Sequence, residues 1–329
     1  MSTPSLIHPL QIGTLALPTN IIFAPLAGCS DFPYRQMCRK YHQGLIYCEM
    51  VKMEAIVRSQ ATSFRMLHYS ADMHPIGAQL CGSNPKLAST AAKIIEDMGF
   101  DILDLNCGCP VDKVTADGSG SGLLRTPTRI GEILANMIAA VRIPVTVKIR
   151  VGWDDDHIIV EDLVRMAELA GAQAITVHGR TRKQGYSGEA NREWIRLAKQ
   201  QSHGIKVIGN GDVFSAPSAL RMLAETGCDG VLLARGGIGQ PWLAEDIWHL
   251  EQGLCVSGRS ADERRRVLLD HFEAALSYGG DAQAIVDMRR IGCSYIGRLP
   301  GGRRFREAFS KASSLQELRE LIIEVPMEE

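Results

Sequence analysis

The sequence predicts an α/β protein, a (β/α)8 TIM barrel followed by a small all-α helical-bundle domain. Three observations lead there. Eight short, almost continuously apolar runs recur at fairly even spacing before residue 245, as parallel strands covered on both faces require. Helical periodicities fill most of the intervals between them. Beyond about residue 246 the strand pattern stops and only helical patterning continues.

Residues 10–20 alternate and turn at Ile12-Gly13-Thr14-Leu15, with Pro18 beyond, which predicts a small hairpin capping one end of the barrel. Strands are predicted over 21–27, 45–51, 75–80, 101–105, 145–150, 174–178, 206–209 and 230–234. Helices are predicted over 84–98, 128–141, 159–170, 192–200 and 216–226. A doubly wound sheet is the rival, but it usually has fewer strands and a glycine fingerprint after the first one, which is absent here. In the tail, Ser260-Ala261-Asp262-Glu263 and Ser314-Leu315-Gln316-Glu317 read as capping boxes. Gly279-Gly280 and Pro300-Gly301-Gly302 read as breaks, giving four helices. The expected division is 1–245 for the barrel with its hairpin and 246–329 for the helical domain.

Composition narrows the function classes. The formal net charge of −1 excludes a global polyanion binder, so any nucleic-acid contact must be a local basic patch. No apolar run approaches the roughly 20 residues of a membrane span. The N-terminus lacks a charged segment followed by an apolar one, so secretion is not expected. Nine cysteines, an odd number with no Cys-x-x-Cys pair, fit a reducing cytoplasm and no metal site. The chain is read as a cytoplasmic monomer.

In a barrel of this kind, chemistry sits at the carboxyl ends of the strands. Residues 101–105 deliver Asn106 and Cys109 to a Gly/Pro corner, Asn106-Cys107-Gly108-Cys109-Pro110, which holds a thiol at the mouth of a site. Asn210-Gly211-Asp212 and Ala234-Arg235-Gly236-Gly237 follow the last two strands, where such barrels commonly hold a phosphate. Lys148 has three readings: a Schiff-base amine, a cation for an anionic reduced ring, or a structural ion pair. Gln79 and His178, on facing strand ends, read as partners of a planar, heteroatom-rich ring. The glycine-rich run 117–122 reads as a lid, with a plain flexible connector as the alternative. The tail crowds Arg289, Arg290, Arg298, Arg303, Arg304 and Arg306 around Tyr295 and Phe305, with Arg264-Arg265-Arg266 upstream, a mild signal for RNA contact.

These residues together resemble the tRNA-dihydrouridine synthases, most closely the bacterial B-type subfamily. The resemblance is carried by Ala24-Pro25-Leu26-Ala27-Gly28 with Asp31, Ala78-Gln79-Leu80, and Asp104-Leu105-Asn106-Cys107-Gly108-Cys109-Pro110 with Lys113. Lys148-Ile149-Arg150, His178-Gly179-Arg180-Thr181-Arg182, Asn210-Gly211-Asp212 and Met288-Arg289-Arg290 complete it. It implies FMN as cofactor, NADPH as reductant and tRNA as partner. The implied reaction reduces the C5=C6 bond of specific uridines, with hydride from flavin N5 to C6 and a proton from Cys109 to C5. By position it implies that Pro25, Leu26, Ala27, Gln79, Lys148 and His178 contact the flavin ring, and that Asn210, Gly211, Asp212, Ala234 and Arg235 hold the phosphate end. Asn106, Lys113, Arg150, Arg180, Arg182, Arg289 and Arg290 are implied on the substrate side. The chain departs from the common pattern at Cys107 (often Met), Ala234 (often Gly) and Ile291 (often His). The alternative is an FMN barrel oxidoreductase acting on free pyrimidines, which the Arg-rich tail disfavours. A Schiff-base lyase using Lys148 and a non-catalytic tRNA binder are more distant rivals.

Overall fold

A computed structural model describes residues 5–256, 258–296 and 302–324; Ser257, Arg298 and the Pro300-Gly301 break lie outside the described residues. A hairpin of β1 (Leu10–Ile12) and β2 (Leu15–Leu17) precedes eight parallel strands. These are β3 (Ile21–Phe23), β4 (Ile46–Lys52), β5 (Ile76–Cys81), β6 (Ile102–Cys107), β7 (Val145–Arg150), β8 (Ala174–His178), β9 (Lys206–Asn210) and β10 (Gly230–Leu233). They pair in chain order and close, β10 against β3, into the expected barrel. Leu10, Ile12 and Leu17 of the hairpin pack with Ile22, Ile102, Ile208 and Leu232, plugging the amino-terminal end. The opposite end is open.

The first strand is shorter than its apolar run. Ala24 N–H donates to Leu233 O at 2.9 Å, and Pro25 then has no N–H with which to continue the ladder. The chain therefore leaves the sheet, and residues 25–29 become a loop over the open end.

Ten helices surround the strands: α1 (Phe32–Tyr41), α2 (Met53–Val57), α3 (Ala61–Met66), α4 (Pro85–Asp97), α5 (Asp112–Thr115), α6 (Pro127–Ala140), α7 (Val160–Leu169), α8 (Arg192–Gln201), α9 (Ala216–Thr226) and α10 (Leu243–Glu251). Their starts follow local chemistry. Asp31, Asn84 and Asn191 cap α1, α4 and α8, and Ser215 with Ser218 forms a capping box on α9. Helical periodicity does not single out α1 because two of its buried positions are Arg35 and Arg39. Arg39 donates to the carbonyls of His42, Gly44, Met73 and Pro75, tying α1 to the chain beneath.

The tail contains α11 (Ala261–Ile296), α12 (Gly302–Lys311) and α13 (Leu315–Glu324). Gly280 (φ 73°) interrupts α11, so four helical segments result. Ser260 and Glu263 form the expected capping box, with bonds of 2.9 and 3.3 Å. A second core of Phe272, Met288, Ile291, Phe309, Leu318 and Ile322 holds these helices together. Rings join it to the barrel: Tyr278 stacks on Phe32 of α1 at 4.8 Å, and Trp242 lies between Tyr41 and Tyr295. His271 is fully buried there, 3.0 Å from the Tyr295 hydroxyl, and burial pushes its pKa down to about 3, leaving a neutral ring. No helix among the described residues is long and apolar enough to cross a membrane.

Phe309 lies in the centre of the second core, and a Cβ at Gly292 would come within 2.5 Å of its ring. Phe309→Ala is expected to cost about 3–5 kcal/mol of tail stability, measured by urea unfolding followed through Trp242 fluorescence.

Candidate active site

The open end of the barrel holds a cavity of about 320 Å³. Its lining comes from strand ends: Pro25, Leu26 and Ala27 after β3, Asn106 and Cys109 after β6, and Lys148 and Arg150 from β7. His178 of β8, Asn210, Gly211 and Asp212 after β9, and Ala234 and Arg235 after β10 complete the ring.

The Cys109 corner is held from three sides. Asn106 Oδ1 accepts the N–H groups of Gly108 (3.1 Å) and Cys109 (2.9 Å). Arg150 Nε donates to Gly108 O at 2.9 Å, and the Ser121 hydroxyl donates to Cys109 O at 2.8 Å. Cys109 is partly exposed and faces the cavity, whereas Cys107 is fully buried and burial pushes its thiol well up. The segment expected as a lid is a buttress instead. Residues Gly120–Arg125 form a 3₁₀ turn, and Ser119 through Leu124 are buried. The glycine is there for close approach: a Cβ on Gly120 would fall 2.9 Å from Cys109 O.

At the opposite wall, Asp212 occupies left-handed backbone (φ 51°) and knots two loops together. Its carboxylate accepts from Ala190 N–H at 2.8 Å, Arg180 at 2.6 Å and Arg235 at 3.3 Å. Gly236 must be glycine, since a Cβ would lie 2.0 Å from Val213 O. Positive charge is in excess here. Lys148, Arg150, Arg180 and Arg235 surround His178 and, with burial as the larger cause, hold its pKa well below the usual range, so the imidazole is neutral. Arg180 donates toward its Nε2 at 3.3 Å. Lys148 has no carboxylate within ion-pair distance among the described residues; burial, reinforced by Arg150, pushes its pKa down to about 8. A glycine-lined wall with more cations than carboxylates fits an anionic ligand.

The remaining expected residues fall into two groups. Gln79 is buried under the cavity floor, where it bonds Asp104 and Asn106. Arg150 and Arg180 are almost fully buried, and their guanidinium groups are bonded to loop carbonyls: Thr181 and Gly185 for Arg150, Gly188 for Arg180. Arg289 donates to Ala312 O at 2.6 Å, inside the tail. The other group reaches the surface. Lys113 is exposed on α5, and Arg182 lies over the Trp153 ring at 4.7 Å and pairs with Asp112. Arg290 pairs with Asp287 at 3.2 Å and rests on Gly28, where a Cβ would come within 2.7 Å of its Nη1. It thus brings the tail to the cavity's loop. Ile291 is 1 % exposed in the tail core, unable to face a ligand.

Sequence reasoning missed Cys29, Met50, Tyr186 and Phe214, all of which line the cavity. Tyr186 is exposed, with the Arg235 guanidinium 4.3 Å from its ring centre. An aromatic among glycine and serine in the loop after β8 was the available signal. Among the described residues, Glu245, Asp246 and His249 bring ligand atoms within 4.8 Å of one another, but Arg259 bonds both carboxylates.

The fold and site define a parallel (β/α)8 barrel with a thiol and an anion cradle facing one another across its mouth. The chain belongs to the dihydrouridine synthase (Dus) family, whose model matches residues 22–327. The tRNA-dihydrouridine synthase B of Pseudomonas syringae pv. tomato is 37% identical over 304 residues, 92% of this chain and 90% of that protein. A probable tRNA-dihydrouridine synthase of Rickettsia conorii is 38% identical over 317 residues, 96% of each. In fold, the chain is similar to histamine dehydrogenase from Rhizobium sp. 4-9 (TM-score 0.59, 15% identity, 82% of this chain and 51% of that one). It is also similar to a morphinone reductase mutant in complex with tetrahydroNAD (TM-score 0.55, 14% identity, 80% and 94%).

Gly236→Ala is expected to displace the loop after β10 and weaken binding of a phosphate-bearing ligand by about tenfold or more, the equivalent of one lost charge-assisted contact. Titration with FMN, followed by fluorescence quenching, measures it.

Proposed function

We propose that this chain is an FMN- and NADPH-dependent tRNA-dihydrouridine synthase that reduces the C5=C6 bond of specific uridines in tRNA. The observation that carries the reading is the placement of Cys109, a partly exposed thiol on a fixed corner, in one cavity with Lys148 and the cradle of Asn210, Gly211, Ala234 and Arg235. Bound in that cavity, FMN would supply hydride for C6 of the uracil.

The chain's own residues do the rest. Pro25, Leu26 and Ala27 would give the flavin ring an apolar bed, with His178 beside it and Lys148⁺ compensating its negative charge, while Gln79, held by Asp104 and Asn106, would support the site from beneath. Asp212 aims Arg235 at the phosphate rather than touching it, since its carboxylate is already occupied by two guanidinium groups and an N–H. Asn106 stands beside the base, and Cys109 holds the proton that C5 receives. The target base must leave its stack to reach this depth, at a cost of a few kcal/mol. Lys113, Arg182 and Arg290 lie where the RNA backbone would pass, while Arg150, Arg180 and Arg289 act on the substrate side by fixing the loops that meet it.

Against the expected division of 1–245 and 246–329, the flavin barrel is proposed to continue through α10 to Glu251, because Leu243, Ala244 and Ile247 belong to its core, and the tail beyond it is proposed as the tRNA-recognition domain. A cytoplasmic monomer without metal or membrane attachment completes the reading.

Cys109→Ala should retain flavin absorbance and tRNA affinity while dihydrouridine formation falls about 10²-fold or more, the range of a general acid; tRNA transcribed without modification is the substrate. Turnover equal to wild type would remove the acid role. Lys148 gives a pH test. Its charged form favours an anionic ligand, so FMN affinity should fall as the pH rises through about 8, where the free amine deprotonates. Lys148→Met should bind FMN more weakly and lose that slope between pH 7 and pH 9.5.

A further inference from the structure

Beneath Cys109 a chain of buried side chains crosses four strands of the barrel. Its direction is determined by which groups can donate. Backbone N–H groups only donate, so the Asn106 atom that meets Gly108 and Cys109 at 3.1 and 2.9 Å is oxygen. Its amide nitrogen therefore points the other way, 2.7 Å from Gln79 Oε1. The Gln79 nitrogen in turn points at Asp104 Oδ2, also at 2.7 Å. Asp104 Oδ1 accepts from the Thr146 hydroxyl at 2.6 Å, and the Tyr47 hydroxyl lies 3.5 Å further on. Strand register brings these together: Gln79 is opposite Asp104, and Asp104 opposite Thr146.

Every amide in the chain has one permitted orientation: the two backbone N–H groups require it at the Asn106 end, and the acceptor at position 104 requires the same one at the Gln79 end. Asp104 is 4 % exposed and has no cation within ion-pair distance among the described residues. Such a carboxylate is expensive compared with an apolar residue of similar size, and burial pushes its pKa up to about 6.

We propose that Asp104 is a positioning residue for proton delivery: by accepting from Gln79 it fixes the orientation of Asn106 and so the backbone of the Cys109 corner. This rests on the dihydrouridine synthase reading and adds to it a residue that never touches the substrate. An apolar residue at 104 leaves the Gln79 amide free to turn its nitrogen toward Asn106. Asn106 then loses its acceptor, and the thiol shifts relative to the base.

The test compares Asp104→Leu with Asp104→Asn. Asparagine keeps an acceptor toward Gln79 and can donate to the Thr146 oxygen, because that hydroxyl rotates. In Asp104→Leu, kcat for dihydrouridine formation should fall about 10²-fold, as for a displaced reacting group. KM for tRNA should change less than kcat. In Asp104→Asn, kcat should stay close to wild type. The second readout does not need turnover: peptide-resolved iodoacetamide labelling of Cys109 relative to exposed Cys255. That ratio should change several-fold in Asp104→Leu and stay at the wild-type value in Asp104→Asn. If Asp104→Leu does not accumulate folded, Gln79→Leu, which removes both the donor to Asp104 and the acceptor for Asn106, should change the ratio in the same way. Wild-type kcat and labelling in Asp104→Leu would overturn the proposal; if only Gln79→Leu can be tested, a wild-type labelling ratio there would do so. So would an Asp104→Asn protein as impaired as Asp104→Leu. Were the wild-type protein inactive on tRNA, the activity reading would fail, while the labelling ratio would still judge the relay.

Discussion

The carboxamide of Asn106 accepts two successive backbone N–H groups and thereby turns the chain at Gly108 and Cys109 toward the cavity. The site as described depends on that turn. Without it the thiol has no fixed relation to the opposite wall, and Arg150 has no Gly108 carbonyl to clamp. The turn is braced from the floor by the buried polar chain and from the side by Ser121, whose hydroxyl and N–H both bond Cys109 O. A polar network inside a barrel is costly unless every member is satisfied. Here each carboxylate oxygen and amide group has a partner, so it converts that cost into a single geometry.

Charge organises the other wall. Arg180 and Arg235 would repel one another across the loops after β8 and β10; Asp212 lies between them and joins the two loops. The knot leaves the loops positive overall, next to a neutral His178 and a Lys148 that has no carboxylate within ion-pair distance among the described residues. An incoming anion therefore meets a site that is already oriented, with little reorganisation left to do.

The tail is not independent of this arrangement. Its own core is separate from that of the barrel, yet aromatic contacts seat it on α1 and α10, and Arg290 reaches the loop that follows β3. That loop lines the cavity through Pro25, Leu26 and Ala27. Arg290 thus puts the tail in direct contact with a loop that lines the cavity.

Much of this was legible in the sequence because it is local. Apolar runs of strand length alternating with helical periods specify a barrel, and closure brings Cys109, Lys148, His178 and the two glycine loops to one end. The sequence could not say which polar residues spend their hydrogen bonds inside. Arg150, Arg180 and Gln79 look like ligand residues by position, but long-range partners bind them: Thr181 and Gly185 carbonyls, Asp212, and Asp104. The glycine run at 117–122 looked mobile because glycine is permissive; the fold uses that freedom to pack backbone against Cys109. Pattern and composition determined the architecture and which residues ring the opening. Only the packed structure decided which of them remain free to act, because a polar group's availability depends on partners far away in the chain.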